Sequence, residues 1–541
     1  MSIIDTGDFF MHKRVALAYF SLMLTFGILI LTIFFINLDV KITETAQSVN
    51  KRSVGLDTSR GMIYDCNMTK IVNSNTYNVT VSLPFMDNLE KLAPYITAEK
   101  KEELYNKFSE GKIGIIETGK RFADDEIKTV TLAKRYYDNQ PLCHIIGHLD
   151  SEGNGATGLE KAYNKYLALQ SGNIKAQWSV NALGHILHGE SLTFENDDYL
   201  SPAGIQLTID LSLQHIAESC LNDNNITKGA VVIMNSDTAE LLAIASAPVF
   251  NPNELETALE DKDQPFINRA TNAYSVGSVF KPILAVCAIE NNIDFEYNCT
   301  GSITVGSTVF KCNNGNAHGR LNMKTAMEKS CNCYFIMLGQ KTGGEKLLNL
   351  CKNIGLGTSL ELADNFTLPS GVLPDESALR FAPSLANFSF GQGDFLANPI
   401  QMACAYSVFA NGGYYRAPTL MKGIIDNNGN KIQSVKLPEK QLVLGENTIK
   451  EIDDILESVV SNGNGNKAYS TVVESRGKTA TAQSGWFENG REINHTWFCG
   501  YFSFNNQTYT IVIFKEDGQS GAVDCAPVFK EIAEKIVELK E

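Results

Sequence analysis

Residues 475–485 read SRGKTATAQSG, and they place one cation, Lys478, among small and hydroxylated residues with no bulk on either face. Two β-rich runs follow, HTWFCGYFSF at 495–504 and TYTIVIFK at 508–515, with the turn-forming residues 505–507 between them. This order predicts that Lys478 lies on or beside a sheet to which the next two runs contribute strands. The pattern raises the question of what needs a lysine, a hydroxyl and nearly bare backbone together.

A more literal Lys-Thr-Gly occurs at 341–343, at the end of the helical run MKTAMEKSCNCYFIMLGQKTG. There Gly343 and Gly344 are typical of a helix C-cap, so the imperfect copy around Lys478 occupies the better position. GAVVIMNSDTAELLAIAS at 229–246 predicts two more strands, and the chain closes on an amphipathic helical pattern. Strands at both ends with helices between them predict one α/β domain whose sheet draws on distant parts of the sequence.

Length and composition restrict the class of protein. A chain of 541 residues predicts two or three folded units, because single cores rarely grow that large. Hydrophobic residues make up 44% and charged residues 20%, which is typical of a globular protein. The net charge of −15 argues against a general nucleic-acid binder, since nothing here neutralises phosphates in bulk. We therefore expect no nucleic-acid partner.

One segment, residues 15–36, reads VALAYFSLMLTFGILILTIFFI and carries no charge. As a helix it would rise about 33 Å, enough to cross a hydrocarbon core. The run is long for a buried core helix and too long for the apolar part of a signal peptide. Because Lys13 and Arg14 precede it, we expect residues 1–14 to form a cytoplasmic tail and the rest to lie outside. The sequence predicts a cell-membrane protein with a single-pass anchor.

The remaining chain is expected to form two domains. Residues 37–200 alternate short strand-like runs with turns and hold no catalytic cluster, so we interpret them as a pedestal. Residues 201–541 hold every chemical motif described below.

The stretch YSVGSVFKP contains Ser278 and Lys281, a hydroxyl and an amine three positions apart. At a helix N-terminus this spacing brings both to one face, where the amine can take the hydroxyl proton. The pattern alone is weak, because residues 48–51 match it too. The preceding glycine and the apolar helix that follows strengthen it, since backbone N–H groups at such a turn can receive an oxyanion.

The stretch EKSCNCYF adds a second hydroxyl, Ser330, and a carboxamide, Asn332. This pattern is also weak alone, because residues 179–181 fit it. In order along the chain, however, S-x-x-K, S-x-N and K-T-small resemble the set of β-lactamases and penicillin-binding proteins.

The chain as a whole resembles a class B penicillin-binding protein, a monofunctional cell-wall transpeptidase. The resemblance covers nearly the whole predicted ectodomain, through RGMIYD at 60–65, GATGLEKAYNKYL at 155–167, LTIDLSLQ at 207–214, ASAPVFNPN at 245–253, NRATNAYSVGSVFKP at 268–282, GQGDFLANPIQMACAYSVFANGG at 391–413 and CAPVFKEIAEKI at 525–536. It implies an α/β (α+β) penicillin-binding/β-lactamase-like transpeptidase domain with an antiparallel sheet and flanking helices. It also implies that the pedestal resembles the family's dimerisation domain.

The resemblance assigns roles to the motif residues. Ser278 would attack the penultimate D-Ala carbonyl of a peptidoglycan stem peptide, with Lys281 as its base. A base must be neutral, and burial beside Lys478 would lower the pKa of Lys281 in that direction. Ser330 would relay the proton to the leaving group, and Asn332 would hydrogen-bond the substrate peptide.

The strand motif would bind the substrate. Lys478 and Thr479 would hold its terminal carboxylate, and its peptide would lie along the strand as an added one. Backbone N–H groups of Ser278 and Thr481 would form the oxyanion hole. Ala480 stands where the family usually has glycine, and its methyl either narrows the groove or points away from it.

The family also implies partners. A second stem peptide would accept the acyl group, and β-lactams would acylate the same serine. No glycosyltransferase region is visible, so a polytopic membrane glycosyltransferase is expected as partner. No cofactor is expected. Competing functions are an anchored β-lactamase or β-lactam sensor, and a catalytically impaired cell-wall scaffold.

The chain has twelve cysteines, and no Cys/His spacing indicates a metal, so no metal site is expected. Several cysteines lie in apolar helical runs and are interpreted as small core residues. Cys312 and Cys331 are the exception, because Cys331 separates Ser330 from Asn332. We predict that these two thiols are a candidate redox pair if their α-carbons lie within about 7 Å.

Overall fold

The computed structural model describes residues 6–38, 50–181, 183–186, 188–189, 191–312, 315–488 and 490–541. The chain divides into two compact units. Unit 1 comprises Met1–Thr58, Thr76–Leu132 and Gly172–Tyr199, and unit 2 comprises Ser59–Asn75, Ala133–Ser171 and Leu200–Glu541. Unit 2 therefore includes two segments that the sequence had assigned to the pedestal. The domain boundary near residue 200 stays a prediction.

The strands, in chain order, are β1 Lys51–Thr58, β2 Met62–Tyr64, β3 Asn75–Ser82, β4 Gly114–Glu117, β5 Ile127–Lys134, β6 Asn173–Ser179, β7 Thr193–Asp197, β8 Gly204–Leu207, β9 Gly229–Asn235, β10 Leu241–Ala247, β11 Tyr297–Cys299, β12 Ser302–Val305, β13 Thr308–Lys311, β14 Gly319–Leu321, β15 Leu360–Ala363, β16 Phe366–Leu368, β17 Tyr414–Tyr415, β18 Met421–Ile425, β19 Lys431–Ser434, β20 Gln441–Leu442, β21 Arg476–Glu488, β22 Arg491–Phe504 and β23 Gln507–Lys515.

The α-helices are α1 Thr6–Leu38, α2 Met86–Leu92, α3 Ala98–Ser109, α4 Cys143–Ile146, α5 Gly158–Ala162, α6 Asn164–Leu169, α7 Leu211–Asp223, α8 Leu255–Leu259, α9 Lys281–Glu290, α10 Met323–Glu328, α11 Asn332–Thr342, α12 Gly344–Asn353, α13 Ala382–Phe388, α14 Pro399–Ala410, α15 Glu446–Ser461, α16 Gly521–Asp524 and α17 Ala526–Lys540. Short 3-10 turns occur at Ala93–Tyr95, Gly277–Phe280, Ala378–Arg380 and Asn466–Ala468.

Unit 1 contains the apolar helix and two small sheets. Within α1, the segment His12–Ile36 has a mean hydropathy of 2.4 and the length to cross a membrane. The sheets have the strand orders β1-β6-β7 and β4-β3-β5. A compact apolar cluster that includes Leu104, Phe108 and Ile127 packs α3 against the second sheet.

Unit 2 is built on a five-stranded sheet with the order β10-β9-β23-β22-β21. Every neighbouring pair in it is antiparallel. The predicted strands at 229–246, 495–504 and 508–515 are all present, so the prediction that distant segments share one sheet is confirmed. A second sheet has the order β19-β18-β8-β2, and its β2 pairs in parallel with β8. This pairing explains why residues 59–75 belong to unit 2.

Apolar clusters cover both faces of the five-stranded sheet. Along β9, Val232 and Met234 join one cluster, which includes residues of α9, α11 and α14. Val231 and Ile233 point to the other face and join a cluster with α7 and α17. A strand buried on both faces has no polar side to show, which explains the unbroken apolar run of β9. The sheet is therefore a rigid layer between helices, and its edge strand β21 borders the site described next.

Candidate active site

The first site segment is the 3-10 turn Gly277–Phe280, which runs directly into α9. Gly277 has a φ of +60°, and a Cβ added there would lie 3.0 Å from the Cβ of Ala482 on β21. A glycine is therefore needed where the turn passes the strand. In a 3-10 turn the side chains at i and i+3 eclipse, so Ser278 and Lys281 share one face.

Hydrogen bonds from the buried core hold this turn in place. The Trp497 indole N–H donates to the carbonyl of Ser275 at 3.0 Å, and the Tyr406 hydroxyl donates to the carbonyl of Val279 at 2.9 Å. Both aromatic side chains are fully buried. The backbone on either side of Ser278 is thus fixed to β22 and α14.

The second site segment is the connection between α10 and α11. The N–H of Ser330 donates to the carbonyl of Met327 at 3.1 Å, and the N–H of Cys331 donates to that of Ala326 at 2.9 Å. These two bonds form a Schellman motif, in which the residue at Ser330 usually is glycine. Ser330 has a φ of +51°, a left-handed backbone conformation that is strained for a residue with a side chain. The chain therefore carries a hydroxyl at a position whose backbone conformation favours glycine.

Two buried lysines meet at Ser330. The Lys281 amine donates to the Ser330 carbonyl at 2.8 Å, to the Ser330 Oγ at 3.1 Å and to the Asn332 Oδ1 at 2.7 Å. The Lys478 amine donates to the same Oγ at 3.1 Å and to the Thr479 carbonyl at 3.0 Å. Three motifs that are far apart in the sequence are therefore joined by direct hydrogen bonds.

Burial sets the charge state of both amines. It lowers the pKa of Lys281 to about 8, and it lowers the pKa of Lys478 well below its usual value. The charge of Lys281 lowers the pKa of Lys478 further. The pKa of Lys281 is lowered, as expected, but the main cause is the burial of Lys281 itself. The repulsion between the two amines lowers the pKa of Lys478. With a pKa of about 8, a minority of Lys281 amines is neutral near physiological pH, and this neutral form is the one that can accept a proton.

A cavity of about 540 Å³ opens beside these groups. It is lined by Ser278, Ser330, Asn332, Gly463, Asn464, Asn466, Thr479, Ala480, Thr481, Ser520 and Ala522. Neither lysine is among these residues, because both amines lie behind the hydroxyls. Among the described residues the hydrogen bonds of Lys281 run to Ser330 and Asn332, and not to Ser278. A direct transfer from Ser278 to Lys281 therefore requires movement when substrate binds, which is common for catalytic hydrogen bonds.

β21 is the edge strand of the sheet, and one side of it borders this cavity. An edge strand offers backbone N–H and C=O groups to an added strand. Ala480 is only 3% exposed and belongs to the same apolar cluster as Trp497 and Cys499. Ala480 is among the residues that line the cavity, but this packing of its side chain favours the interpretation in which the methyl group points away from the groove.

The predicted thiol pair is close together. The sulfurs of Cys312 and Cys331 lie 3.6 Å apart, beyond the length of a disulfide bond, and both residues are buried. The redox role stays a prediction. The sequence reasoning missed two neighbours, Cys299 and His318, whose donor atoms lie within 4.8 Å of each other and of the two thiols. It also missed Asn464 and Asn466, which no local motif distinguishes from an ordinary turn.

The expectation of no metal site stays a prediction, although these four side chains form a group that could hold a metal ion. Their spacing along the chain gave no sign of this group, since the four residues have 12, 5 and 12 residues between them, unlike a compact metal motif. The pairing of separate short strands and the turn before α11 bring them together.

Residues 229–534, more than half of the chain, match the family model described as the penicillin binding protein transpeptidase domain. A curated relative from Mesostigma viride, a peptidoglycan D,D-transpeptidase FtsI homolog, is 28% identical over 77% of this chain and 74% of its own length. Stage V sporulation protein D of Bacillus subtilis is 28% identical over 86% of this chain and 74% of its own length.

A similar solved structure is described as "Structural coordination of polymerization and crosslinking by a peptidoglycan synthase complex". It has a TM-score of 0.68 and 23% identity, and the match covers 97% of this chain and 99% of that chain. At this identity the likeness supports the fold alone.

Proposed function

The chain belongs to the penicillin-binding protein transpeptidase family, and on that premise we propose that it is a class B serine D,D-transpeptidase. It would cross-link peptidoglycan stem peptides through an acyl-enzyme on Ser278, and β-lactams would acylate the same hydroxyl. One observation carries the proposal: Ser278, Ser330 and Asn332 line one cavity along the edge strand β21, with a base of lowered pKa directly behind them.

In the first step the Ser278 Oγ attacks the penultimate D-Ala carbonyl and its proton passes to the neutral Lys281 amine. The carbonyl oxygen becomes an oxyanion, which the backbone N–H groups of Ser278 and Thr481 would stabilise. The C–N bond to the terminal D-Ala then breaks, and the leaving amine needs a proton.

Ser330 is placed to deliver that proton. Its Oγ accepts hydrogen bonds from both lysines, so its own O–H is directed away from them. A proton can therefore pass from Lys281 through this hydroxyl to the leaving amine. The reverse path would deprotonate the amine of the second stem peptide, which attacks the acyl-enzyme and forms the cross-link.

The geometry favours a different role for Lys478 from the one that the family resemblance assigned. Its amine lies behind Ser330 and outside the cavity lining, and burial lowers its pKa. We infer that Lys478 positions Ser330, while the hydroxyls of Thr479 and Thr481 contact the substrate carboxylate. The Oδ1 of Asn332 is held by Lys281, which leaves its amide nitrogen to donate to the substrate peptide.

The lining also bears on the β-lactamase alternative. Among the described residues that line the cavity there is no aspartate or glutamate. Hydrolysis of the acyl-enzyme needs a base that activates water, and no carboxylate of the lining can serve. A penicillin adduct on Ser278 should therefore persist.

Membrane attachment and partners complete the proposal. The segment His12–Ile36 would anchor the chain in the cell membrane, with the N-terminus cytoplasmic and the catalytic domain outside. A polytopic membrane glycosyltransferase would supply the glycan strands. The similar solved structure is described as a peptidoglycan synthase complex, and we propose the same kind of partnership for this chain.

The test uses the full-length protein in detergent with a fluorescent penicillin. We expect a covalent adduct that persists over time, that is absent from Ser278→Ala and that is unchanged in Ser212→Ala, an exposed serine on α7. The same protein should exchange the terminal D-Ala of a stem pentapeptide for a labelled D-amino acid.

Two results would contradict the proposal. Rapid release of hydrolysed penicillin would make the protein a β-lactamase. A folded protein that forms no adduct and exchanges no D-Ala would be a scaffold.

A further inference from the structure

We propose that Cys299, Cys312, His318 and Cys331 form a structural zinc site that supports the Ser330 turn. Each residue offers one donor atom, and the four atoms all lie within 4.8 Å of one another. The three cysteines are buried, and His318 is half-buried. Three thiolates and one imidazole are a donor set typical of closed, four-coordinate zinc sites.

Three of the six distances between donor atoms are close to those of a tetrahedron around one zinc ion. With Zn–S of about 2.3 Å and Zn–N of about 2.05 Å, a regular tetrahedron has S···S edges of about 3.8 Å and S···N edges of about 3.6 Å. The Cys312 and Cys331 sulfurs lie 3.6 Å apart. The His318 Nδ1 lies 3.4 Å from the Cys312 sulfur and 3.7 Å from the Cys299 sulfur. These edges are within a few tenths of an ångström of the expected values.

The local structure gives such an ion a physical task. β11 pairs only three residues with β14, and β12 pairs with β13 in a separate two-stranded sheet. Two-stranded sheets are marginally stable by themselves. Cys299 ends β11, Cys312 follows β13, and His318 precedes β14. One ion would therefore fasten both small sheets to each other.

The fourth ligand connects the ion to the catalytic machinery. Cys331 follows Ser330 in the Schellman motif and precedes the first residue of α11, Asn332. Holding the Cys331 sulfur would fix the strained turn that presents the Ser330 hydroxyl and the Asn332 carboxamide to the cavity. The ion would touch no substrate, so its effect on acylation would be one of positioning.

Zinc also accounts for the cluster better than a disulfide does. A Cys312–Cys331 bond would engage two of the four donors and leave Cys299 and His318 with no role. Binding of Zn²⁺ exchanges three thiol protons for the metal and needs no oxidant, whereas a disulfide requires the removal of two electrons. In the bound state the thiolates are also shielded from oxidation.

The test measures metal directly on the full-length protein, purified in detergent with reductant and without chelator. Elemental analysis by inductively coupled plasma mass spectrometry should find one zinc ion per chain. We expect the zinc affinity of Cys299→Ser, Cys312→Ser and His318→Ala to fall by more than about 100-fold. Loss of an outer-shell partner alone costs up to about that factor. Cys404→Ser, in the buried face of α14, should keep its zinc.

Two further variants keep the result interpretable if some cysteine variants misfold. His318→Cys retains four donors, so it should bind zinc, and its Co²⁺ form should gain sulfur-to-cobalt charge-transfer absorption over the parent protein. Cys333→Ser removes a sulfur that contacts Cys312 and Cys331 but lies outside the four-donor set, so it should keep zinc.

Acylation provides the second readout. Removal of zinc by a chelator should lower the melting temperature and slow penicillin acylation, and added Zn²⁺ should restore both. Ser278→Ala should lose acylation and keep its zinc, so failure of the proposed function is distinguishable from failure of the metal site. Iron in place of zinc, zinc lost in Cys333→Ser, zinc unchanged in all ligand variants, or a metal-free protein with a Cys312–Cys331 disulfide would each overturn the inference.

Discussion

The two turns that supply hydroxyls to the cavity are built in opposite ways. The turn at Ser278 uses a glycine at its positive φ position, and buried aromatic side chains bond its carbonyls on both sides. The turn at Ser330 takes a positive φ with a serine, and polar groups contact it: two lysine amines at Ser330 and the Cys312 sulfur at Cys331. The nucleophile Ser278 is therefore positioned by the buried core. The backbone that carries the relay hydroxyl of Ser330 is strained, and its position depends on a few polar contacts.

The largest effect is expected from Lys281→Met, which removes the amine that joins the two turns. The change should slow penicillin acylation about 10³-fold, since general-base catalysis contributes about 10²–10⁴-fold. The melting temperature should fall modestly, because the Ser330 carbonyl and the Asn332 Oδ1 lose their buried hydrogen-bond donor. Stopped-flow acylation with Lys341→Met, the exposed lysine of the literal Lys-Thr-Gly, supplies the control. Equal rates in the two variants would remove Lys281 from the mechanism.

The strain at Ser330 can be separated from its chemistry by a pair of variants. Ser330→Ala and Ser330→Gly both lose the relay hydroxyl, so both should acylate about 10²-fold more slowly. The glycine variant should be more stable than the alanine variant by about 1–2 kcal/mol, because only glycine accepts the left-handed conformation without cost. Denaturant unfolding measures the difference. A glycine variant no more stable than the alanine variant would mean that the turn is unstrained.

The pH dependence tests the base that serves both turns. Burial lowers the pKa of Lys281 to about 8, and only its neutral form accepts a proton. The acylation rate should therefore rise about 10-fold per pH unit from pH 6 towards 8 and level off above that value. Acylation rates at fixed ionic strength give the profile. A rate that stays flat across this range would show that Lys281 is not the titrating base.

The smallest effect is expected at the strand. Ala480 packs into the apolar cluster, so Ala480→Gly should change the acylation rate less than about 3-fold. It should cost about 0.5–1 kcal/mol of stability, since glycine is unfavourable within a strand. Acylation kinetics and thermal unfolding of the same preparation check both values. A large gain in acylation would mean that the methyl narrows the groove after all.

Sequence patterns predicted the features that depend on local periodicity. Apolar spacing predicted the strands of the five-stranded sheet, and glycine positions predicted the turn before α9 and the helix end at Gly343. Each of these features is present. The family resemblance then indicated which three motifs to look for in one cavity. Neither source predicted that the Lys478 amine would lie behind Ser330, because the direction of a side chain depends on packing.

The group of Cys299, Cys312, His318 and Cys331 shows the same limit of prediction from sequence. Cys299 lies in a three-residue strand, and His318 precedes another, and such short strands carry almost no periodic signal. Their meeting depends on the pairing of β11 with β14, which places Cys299 opposite Gly319. Local reasoning could single out Cys312 and Cys331 only because one of them interrupts a catalytic motif.

The open edge of β21 has a consequence for inhibition. Strand pairing uses only backbone N–H and C=O groups. An extended peptide mimic can therefore bind along this edge without a strained ring or any other reactive group. A mimic that stops short of Ser278 would fill the cleft reversibly and would compete with cell-wall precursors and antibiotics alike. Substitutions that slow acylation would give little protection against such a compound, because its affinity would not depend on the serine reacting.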